Sequence, residues 1–236
     1  MKKIILSLML FTWGIHAEEI YAAFNIEADK SANLAFTSSG IIDHVSIDVA
    51  TIVKAGDVLA ELQNEDLKAA LAIATASFKF AKKEYERQLK VKHLVDESQL
   101  DSYVFKYENA KAQLDYQQAL LDKTILKAPF DGVIYEKSVE VGDAVSGAML
   151  RTILKIESLH HRKLVLEFDQ KYWKDVKIGQ EFNYKIDGDT TLYKGTISKI
   201  YPSANMENRK IKAEVETKDL VVGLFGEGYI STPDTK

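Results

Sequence analysis

Gly40-Ile41-Ile42 and Gly132-Val133-Ile134 open two stretches of sequence that run in step, 92 residues apart. Further matches keep this offset: Val49 with Val141, Ala50 with Gly142, and Val53 with Val145. After a two-residue insertion, Leu59-Ala60-Glu61-Leu62 matches Ile153-Leu154-Lys155-Ile156. Each copy reads as short strands separated by turns, and neither is long enough to be stable alone. We therefore expect the two copies to pair into one small β-sandwich.

The block between the copies has helical periodicity. Its apolar residues are spaced alternately three and four apart, as at the a and d positions of a heptad repeat. One series is Leu67, Leu71, Ala74, Phe78, Ala81 and Tyr85, and the other is Leu100, Tyr103, Tyr107, Ala110, Leu114, Gln117 and Leu121. Asp96 and Ser98 are candidate N-caps for the second helix. One partner helix could cover each narrow stripe, which favours a coiled-coil hairpin with its tip near residues 92–98 over two helices lying on a globular core.

The remaining sequence reads mainly as strand. Apolar alternation and turns about ten residues apart over residues 159–236 predict a small antiparallel barrel, with a short helix capped by Asp169 and running through Trp173 and Val176. We expect residues 38–64 and 124–158 to form the sandwich, and residues 65–123 the hairpin. Residues 18–37 and 159–236 should form the barrel. The fold class is therefore mixed α and β, elongated and modular.

Composition excludes several classes of protein. The formal charge of −4 provides no excess of cations to neutralise nucleic acid. The absence of cysteine excludes disulfides, thiolate metal sites and a thiol nucleophile. The tandem His160-His161 has no partner at metal-ligand spacing, and no hydrolase or phosphate-loop motif occurs. We expect no catalytic residues, no cofactor and no metal.

Residues 1–17 have the layout of a secretory signal peptide. Lys2 and Lys3 precede an apolar run from Ile4 to Trp13, and Ala17 ends the segment. The run is shorter than the ~20 residues that span a bilayer. We expect cleavage after Ala17 and export of a periplasmic protein, with an uncleaved anchor as the alternative.

Residues 124–133 contain the core Ala128-Pro129-Phe130-Asp131-Gly132. This stretch resembles the returning half of the lipoyl-like domain in the periplasmic adaptors, or membrane fusion proteins, of tripartite efflux pumps. Residues 40–62 resemble the outgoing half, and residues 197–202 and 220–229 resemble the adaptor barrel. The resemblance implies a subunit that links an inner-membrane transporter to an outer-membrane channel, in a ring of typically six copies.

The resemblance also implies a docking motif at the hairpin tip. Adaptors that dock such channels carry an Arg, a Leu four residues later, and a Ser or Thr seven after that. Arg87, Val91 and Ser98 occupy those places here, with Val91 replacing the Leu. The alternative is a solvated Arg and an ordinary capping Ser.

Other functions remain open at this level. In biotinyl or lipoyl carriers a lysine is modified in the turn that the hairpin occupies here, and Lys68 and Lys123 flank that insertion. A short hairpin and a cleavable signal favour a proton-driven exporter of the resistance-nodulation-division type over an ATP-driven one. Clustered methionines in the adaptor are typical of the metal exporters of that type. Past the signal, Met149 and Met206 are the only methionines and stand far apart in the sequence, so drugs or other amphiphiles are the expected cargo. The membrane-proximal domain of longer adaptors is expected to be absent, so the barrel should contact the transporter.

Overall fold

The computed structural model describes residues 19–91, 96–149 and 151–232. The predicted signal segment therefore lies outside the described residues, as do residues 92–95 of the predicted hairpin tip. The described chain forms two compact units, one from residues 19–29 and 160–232 and one from residues 30–159.

The first unit is built from six strands: β1 (Glu19–Ala28), β10 (His161–Asp169), β11 (Glu181–Ile186), β12 (Tyr193–Ala204), β13 (Lys210–Lys218) and β14 (Phe225–Ser231). The second unit contains eight strands and two helices: β2 (Ser31–Leu34), β3 (Gly40–Val45), β4 (Ile52–Val53), β5 (Val58–Leu62), α1 (Glu65–Lys90), α2 (Glu97–Asp122), β6 (Ile125–Lys127), β7 (Gly132–Lys137), β8 (Ala144–Val145) and β9 (Leu154–Ser158). The predictions of a mixed α and β chain and of two helices in the central block are confirmed.

The six strands of the first unit close into an antiparallel barrel in the order β1-β10-β13-β12-β11-β14. In β1 every second residue is buried, which gives the inward row Ile20, Ala22, Phe24 and Ile26. Phe24 makes edge contacts with Phe182 and Tyr184 inside the barrel, at centroid distances of 5.9 and 5.2 Å. Because β1 also pairs with β14, the barrel has no unpaired edge. The predicted small antiparallel barrel is confirmed.

The segment after β10 differs from its prediction. Only Gln170–Tyr172 is helical, as one 3-10 turn, and Trp173 follows it as the C-cap. The Asp169 side chain does cap this turn by accepting from the amide of Lys171 at 2.8 Å. Val176 is buried in the barrel core beyond the turn, so its apolar character reflects core packing and not a longer helix.

The second unit contains two four-stranded sheets, β2-β9-β7-β4 and β6-β5-β3-β8. Their facing apolar residues form one core, which includes Ile42, Leu59, Leu62, Ile134, Ile153 and Ile156. The predicted sandwich of two sequence copies is present. Each sheet, however, contains strands from both copies, which the sequence did not reveal.

The two copies exchange their short middle strands. β4 of the first copy pairs with β7 of the second, and β8 of the second copy pairs with β3 of the first. The paired residues correspond at the 92-residue offset: Ile52 with Val133 and Val53 with Gly132 in one pair, and Ala144 with Ile41 and Val145 with Gly40 in the other. Neither copy can therefore complete its sheet without the other.

Hydrogen bonds outside the strands follow the same symmetry. The Ala50 amide donates to the Ile134 carbonyl at 2.8 Å, and the matching Gly142 amide donates to the Ile42 carbonyl at 2.9 Å. Two side-chain acceptors also occupy matching places in the copies. Asp131 accepts from the Ala55 amide at 2.8 Å, and Ser39 accepts from the Gly147 amide at 3.0 Å. The repeat in the sequence thus extends to individual hydrogen bonds.

The strand β2 corrects one predicted boundary. Residues 18–37 were all expected in the barrel, but β2 pairs with β9 in the sandwich. In the same way β6 precedes the second copy and pairs with β5, the last strand of the first copy. Each copy therefore contributes a leading strand to the last strand of the other, and the repeat begins about nine residues before Gly40. Only β1 of that N-terminal stretch belongs to the barrel.

Ala50 offers a test of this symmetry. Its φ is 68°, in the left-handed region, where its counterpart Gly142 has φ 94°. Because a Cβ there costs about 1–2 kcal/mol and glycine adds about 0.4–1 kcal/mol of unfolded-state entropy, Ala50→Gly should stabilise the chain by up to about 1 kcal/mol. Gly142→Ala should destabilise it by a similar amount. Urea denaturation measures both. The control Ala55→Gly, in an exposed turn, should destabilise the chain slightly. An equal loss of stability from Ala50→Gly would show that the left-handed backbone at Ala50 carries no cost.

Glu214 is a buried carboxylate on β13, and it points away from the core residues Ala213 and Val215. Its carboxylate accepts from Lys163 Nζ at 3.1 Å, Lys199 Nζ at 2.8 Å and the Tyr201 hydroxyl at 2.7 Å. Burial alone would raise the pKa of Glu214, but these hydrogen bonds outweigh burial and lower the pKa to about 2. The cluster therefore holds a charged Glu214 across β10, β12 and β13.

This lowered pKa predicts acid sensitivity. The folded-state pKa lies below the ordinary value of 4.5, so the stabilisation is complete above pH 4.5 and is lost as pH falls toward 2. At about 1.4 kcal/mol per pKa unit the loss should reach up to about 3 kcal/mol. Urea denaturation across this pH range should show this loss of unfolding free energy, and Glu214→Gln should remove the pH dependence. The control Glu216→Gln, on the same strand but exposed, should keep it. An unchanged pH profile in Glu214→Gln would contradict the assignment.

Candidate functional site

The two helices between the sandwich halves form an antiparallel pair whose ends meet at one polar cluster. Asn64, just before α1, and Thr124, just after α2, are 2% and 3% exposed. The Asn64 side-chain amide donates to Thr124 Oγ1 and to Glu61 Oε1, both at 2.9 Å. The Thr124 hydroxyl donates to the Leu121 carbonyl at 2.6 Å. We call Glu61, Asn64 and Thr124 the hairpin root, because it holds the start of α1 beside the end of α2.

The root uses Asn64 in an unexpected way. Asparagine directly before a helix ordinarily caps the first free amides. Here the Asn64 side chain makes no cap bond to α1. It links the residues that enter α1 to the residues that leave α2 instead. The hydrogen bond from Asn64 lowers the pKa of Glu61 against the effect of burial, and Lys68 lowers it further through an ion pair at 3.2 Å. A charged Glu61 thus ties the sandwich to the first turn of α1.

Above the root, aromatic side chains join the helices. Tyr107 of α2 lies between Phe78 and Tyr85 of α1, with centroid distances of 5.6 and 5.2 Å. All three belong to the predicted heptad series. In the described parts of α1 and α2, Ala74 and Leu121 are the buried residues. This sparse burial does not fit two helices lying on a globular core, while detailed coiled-coil packing stays a prediction.

Arg87 and Val91 lie where α1 ends. Arg87 is in the last helical turn with Lys90, and Val91 is the C-cap, its amide donating to the Gln88 carbonyl at 3.1 Å. The Arg87 side chain is 66% exposed and forms an ion pair with Glu84 one turn earlier. Val91 is 38% exposed.

Ser98 lies on the other helix. It is the second residue of α2, and its amide donates to the Asp96 carboxylate at 2.8 Å. Asp96 is therefore the N-cap, and the expectation that Ser98 could also cap is wrong. The structure places Arg87 and Val91 at the end of α1 and Ser98 at the start of α2, with residues 92–95 between them outside the described chain. The docking role of the three residues stays a prediction.

Several surface residues of the hairpin were not singled out from the sequence. Ile73 and Phe80 are 70% and 68% exposed and precede Arg87 at intervals of seven residues, so the three form one row along α1. Phe105 of α2 is also 68% exposed. The seven-residue spacing was visible in the sequence, but exposure was not. The row gives the hairpin an apolar outer surface that leads toward Arg87.

The structure also bears on the alternatives. Lys68 lies on the first turn of α1 and Lys123 is the C-cap of α2, so neither occupies the tight turn in which carriers are modified. His160 contacts Asp219 at 3.2 Å on the barrel surface. Within residues 19–91, 96–149 and 151–232, no group of three or more metal-binding side chains is present. Neither described helix is long and apolar enough to cross a membrane.

Comparison with known proteins identifies relatives of the chain. Residues 30–154 match the family model of the CzcB-like, barrel-sandwich hybrid domain, which begins where β2 enters the sandwich. The cobalt-zinc-cadmium resistance protein CzcB of Cupriavidus metallidurans is 25% identical over 205 residues, which cover 79% of this chain and 39% of that protein. The chain thus spans about two fifths of the length of this curated relative.

Solved structures share the fold. A chimeric MacA–MexA protein containing the Pseudomonas aeruginosa MexA α-hairpin domain superposes with a TM-score of 0.84 at 22% identity, covering 94% of this chain and 84% of the chimera. The membrane fusion protein Spr0693 of Streptococcus pneumoniae R6 superposes with a TM-score of 0.71 at 17% identity, covering 90% and 98%. These likenesses extend beyond the sandwich to nearly the whole chain.

Proposed function

The chain belongs to the CzcB-like barrel-sandwich hybrid family of periplasmic adaptors, or membrane fusion proteins, and we propose that it links an inner-membrane exporter to an outer-membrane channel. The predicted family resemblance is confirmed. Members of the family are adaptor proteins, typically without enzymatic activity. Periplasmic location after cleavage at Ala17, and attachment to the inner membrane through the transporter, belong to this proposal.

One observation carries the proposal: a helical hairpin is inserted between the two halves of a sandwich and held there by the hairpin root. Each helix has 26 residues, or about 39 Å at about 1.5 Å per residue. Sparse burial along both helices leaves their surfaces available to other proteins. A pair of helices fixed at the root and open along its length suits contact with a distant partner.

We propose the end of the hairpin as the channel contact. The Arg87 guanidinium presents forked donors that suit carbonyls or carboxylates on another helix, and Val91 adds a small apolar surface beside it. Ser98 offers an exposed hydroxyl on α2. The Glu84–Arg87 ion pair is exposed on the arginine side, and such pairs are worth about 0–1 kcal/mol, so a channel carboxylate could replace Glu84 at little cost.

Self-association is the second part of the proposal. A tube between two membranes needs several copies, and six is the number that the family resemblance implies. Ile73 and Phe80 support lateral contact, because exposed large apolar side chains at regular spacing favour a protein partner. The barrel is the proposed contact for the transporter.

Arg87→Asp should abolish efflux while leaving the protein folded and abundant. Exposed substitutions usually change stability by no more than ~0.5 kcal/mol. Reversing a charge at a packed interface can cost ~2–5 kcal/mol, which weakens docking by roughly thirty-fold or more. Drug accumulation and crosslinking to the channel, at matched expression, measure the effect.

Two controls separate docking from local effects. Glu84→Gln removes the intrahelical partner of Arg87 but keeps the guanidinium, so it should retain efflux. Lys106→Asp changes a charge lower on α2 and should be mild, whereas Ser98→Arg should block docking by bulk. Wild-type efflux from Arg87→Asp, or equal loss from Glu84→Gln, would remove the assignment of Arg87 to docking.

The cargo is proposed from the sequence as drugs or other amphiphiles, carried by a proton-driven transporter. The name of CzcB makes metal cations the second candidate. Deleting the adaptor gene should raise the accumulation of a lipophilic dye and leave tolerance to cobalt, zinc and cadmium unchanged. Re-expression of the wild-type chain should restore dye export. Loss of metal tolerance with normal dye export would show that the cargo is a metal cation.

A further inference from the structure

The hairpin root sets the height of each residue along the two helices. Asn64 contacts Thr124 at the root, and Tyr107 lies between Phe78 and Tyr85 further along, so the helices run antiparallel. Residues equally far from the root, counted forward from Asn64 on α1 and backward from Thr124 on α2, therefore lie level with each other. Each residue of difference in these counts changes the height by about 1.5 Å.

The exposed apolar side chains of the two helices lie at matching heights. Ile73 and Tyr116 are nine and eight residues from the root, and Phe80 and Phe105 are sixteen and nineteen residues from it. The two members of each pair thus differ in height by about 1.5 Å and about 4.5 Å. All four side chains are more than half exposed, so the partner helix of the same hairpin does not cover them.

The two helices carry opposite net charge. α1 contains six cations and four carboxylates, and α2 contains two cations and five carboxylates, so their net charges are +2 and −3. The salt bridges of the described hairpin all involve α1, and they join Lys68 to Glu61 and Glu65, Lys82 to Glu86, and Arg87 to Glu84. Within the described hairpin, the carboxylates of α2 therefore have no ion-pair partner. The same holds for three exposed lysines of α1, which we call the lysine row: Lys79, Lys83 and Lys90.

The unpaired charges lie beside the apolar side chains on both helices. Four exposed carboxylates recur every seven residues along α2, and we call them the carboxylate row: Asp101, Glu108, Asp115 and Asp122. At about 100° per residue, the carboxylate row lies about 40–100° to one side of Phe105 as seen from the helix N-terminus. The lysine row lies about 60–100° to the same side of Phe80. Two antiparallel helices that face each other through these aromatic residues therefore also bring the two charged rows together.

We propose that α1 of one copy packs against α2 of a second copy, with Ile73 against Tyr116 and Phe80 against Phe105. This contact rests on the proposed self-association and names its surfaces. Neighbouring hairpins that point the same way place α1 beside α2 in antiparallel orientation, so residues of equal height meet.

The charged rows favour the same register. Lys79 and Glu108 are fifteen and sixteen residues from the root, so the proposed contact brings them together. Opposite charges across an interface favour the correct partner and fix its register. Because both halves of the contact are present on one chain and at equal heights, the occupant is a second copy of this chain. Each copy keeps one free α1 surface or one free α2 surface, so the contact repeats from copy to copy.

Cysteine cross-linking tests the register, because the chain contains no cysteine that could give background. Two full-length chains with different tags, one with Ile73→Cys and one with Tyr116→Cys, are expressed together in cells that contain the exporter and the channel. A short thiol-reactive cross-linker should join the two tagged chains. The mismatched pair of Ile73→Cys and Phe105→Cys differs in height by about 15 Å and should give at least about ten-fold less product.

Charge reversal tests the charged rows in the same assay. Lys79→Glu or Glu108→Lys places like charges opposite each other, so each should weaken association by about five-fold. A chain that carries both substitutions restores opposite charges at each contact and should recover the yield. Lys106→Asp is the matched control, because Lys106 lies on the other side of Phe105 from the carboxylate row. It should leave the yield nearly unchanged.

Several results would overturn the proposal. Cross-linking between two Ile73→Cys chains as readily as between Ile73→Cys and Tyr116→Cys would show a two-fold contact. Equal product from the mismatched pair, or cross-links from Ile73→Cys to the channel or exporter alone, would also remove it. Efflux is measured in the same cells to separate this contact from the adaptor function. Absence of the mixed product with normal efflux would remove the contact alone, whereas full cross-linking without efflux would support the contact and count against the adaptor function.

Discussion

The reciprocal pairing of the two sequence copies is the constraint on which the rest of the sandwich depends. β4 completes a sheet around β7, and β8 completes the other around β3, with Ile52 and Ala144 in matching places. Two-residue strands gain almost nothing in isolation, because closing the chain costs more than two ladder bonds return. They form here because each lies on an edge that the other copy provides. The sandwich therefore forms only when residues far apart in sequence meet, across the helical insertion.

The same constraint acts on the helical insertion. The first copy ends at β5, and β6 pairs directly with β5 before the second copy begins. The chain must leave and return at neighbouring points, which two antiparallel helices of equal length do well. The root then satisfies the polar groups that this crossing buries, and no described buried side-chain donor or acceptor lacks a partner. Asn64 joins the start of α1 to the end of α2, whereas an ordinary cap would stabilise only α1.

Much of this architecture could be predicted from the sequence, because periodicity reports which face of an element is buried. The heptad series predicted both helices. Partner choice could not be read in the same way. Nothing local in Ser31–Leu34 distinguishes pairing with β9 from pairing in the barrel, since its burial comes from the partner strand. Asp96 and Ser98 were equivalent as caps by residue type, and only the backbone geometry decided between them. The exposure of Trp173 was likewise not visible in the sequence, because apolar residues in a predicted helix look like core residues.

Different residues hold the sandwich together and form the end of the hairpin, and this decides which substitutions can act separately. The root fixes where the hairpin begins and ends, while Arg87, Val91 and Ser98 lie at the far ends of the helices and take no part in the sandwich core. Substitutions at that far end leave the exchanged strands and the root contacts intact, since distant sites with no shared partner act independently. Trp173 belongs to the barrel unit and takes no part in the sandwich core. The end of the hairpin can therefore change its contacts without altering the sandwich that holds it.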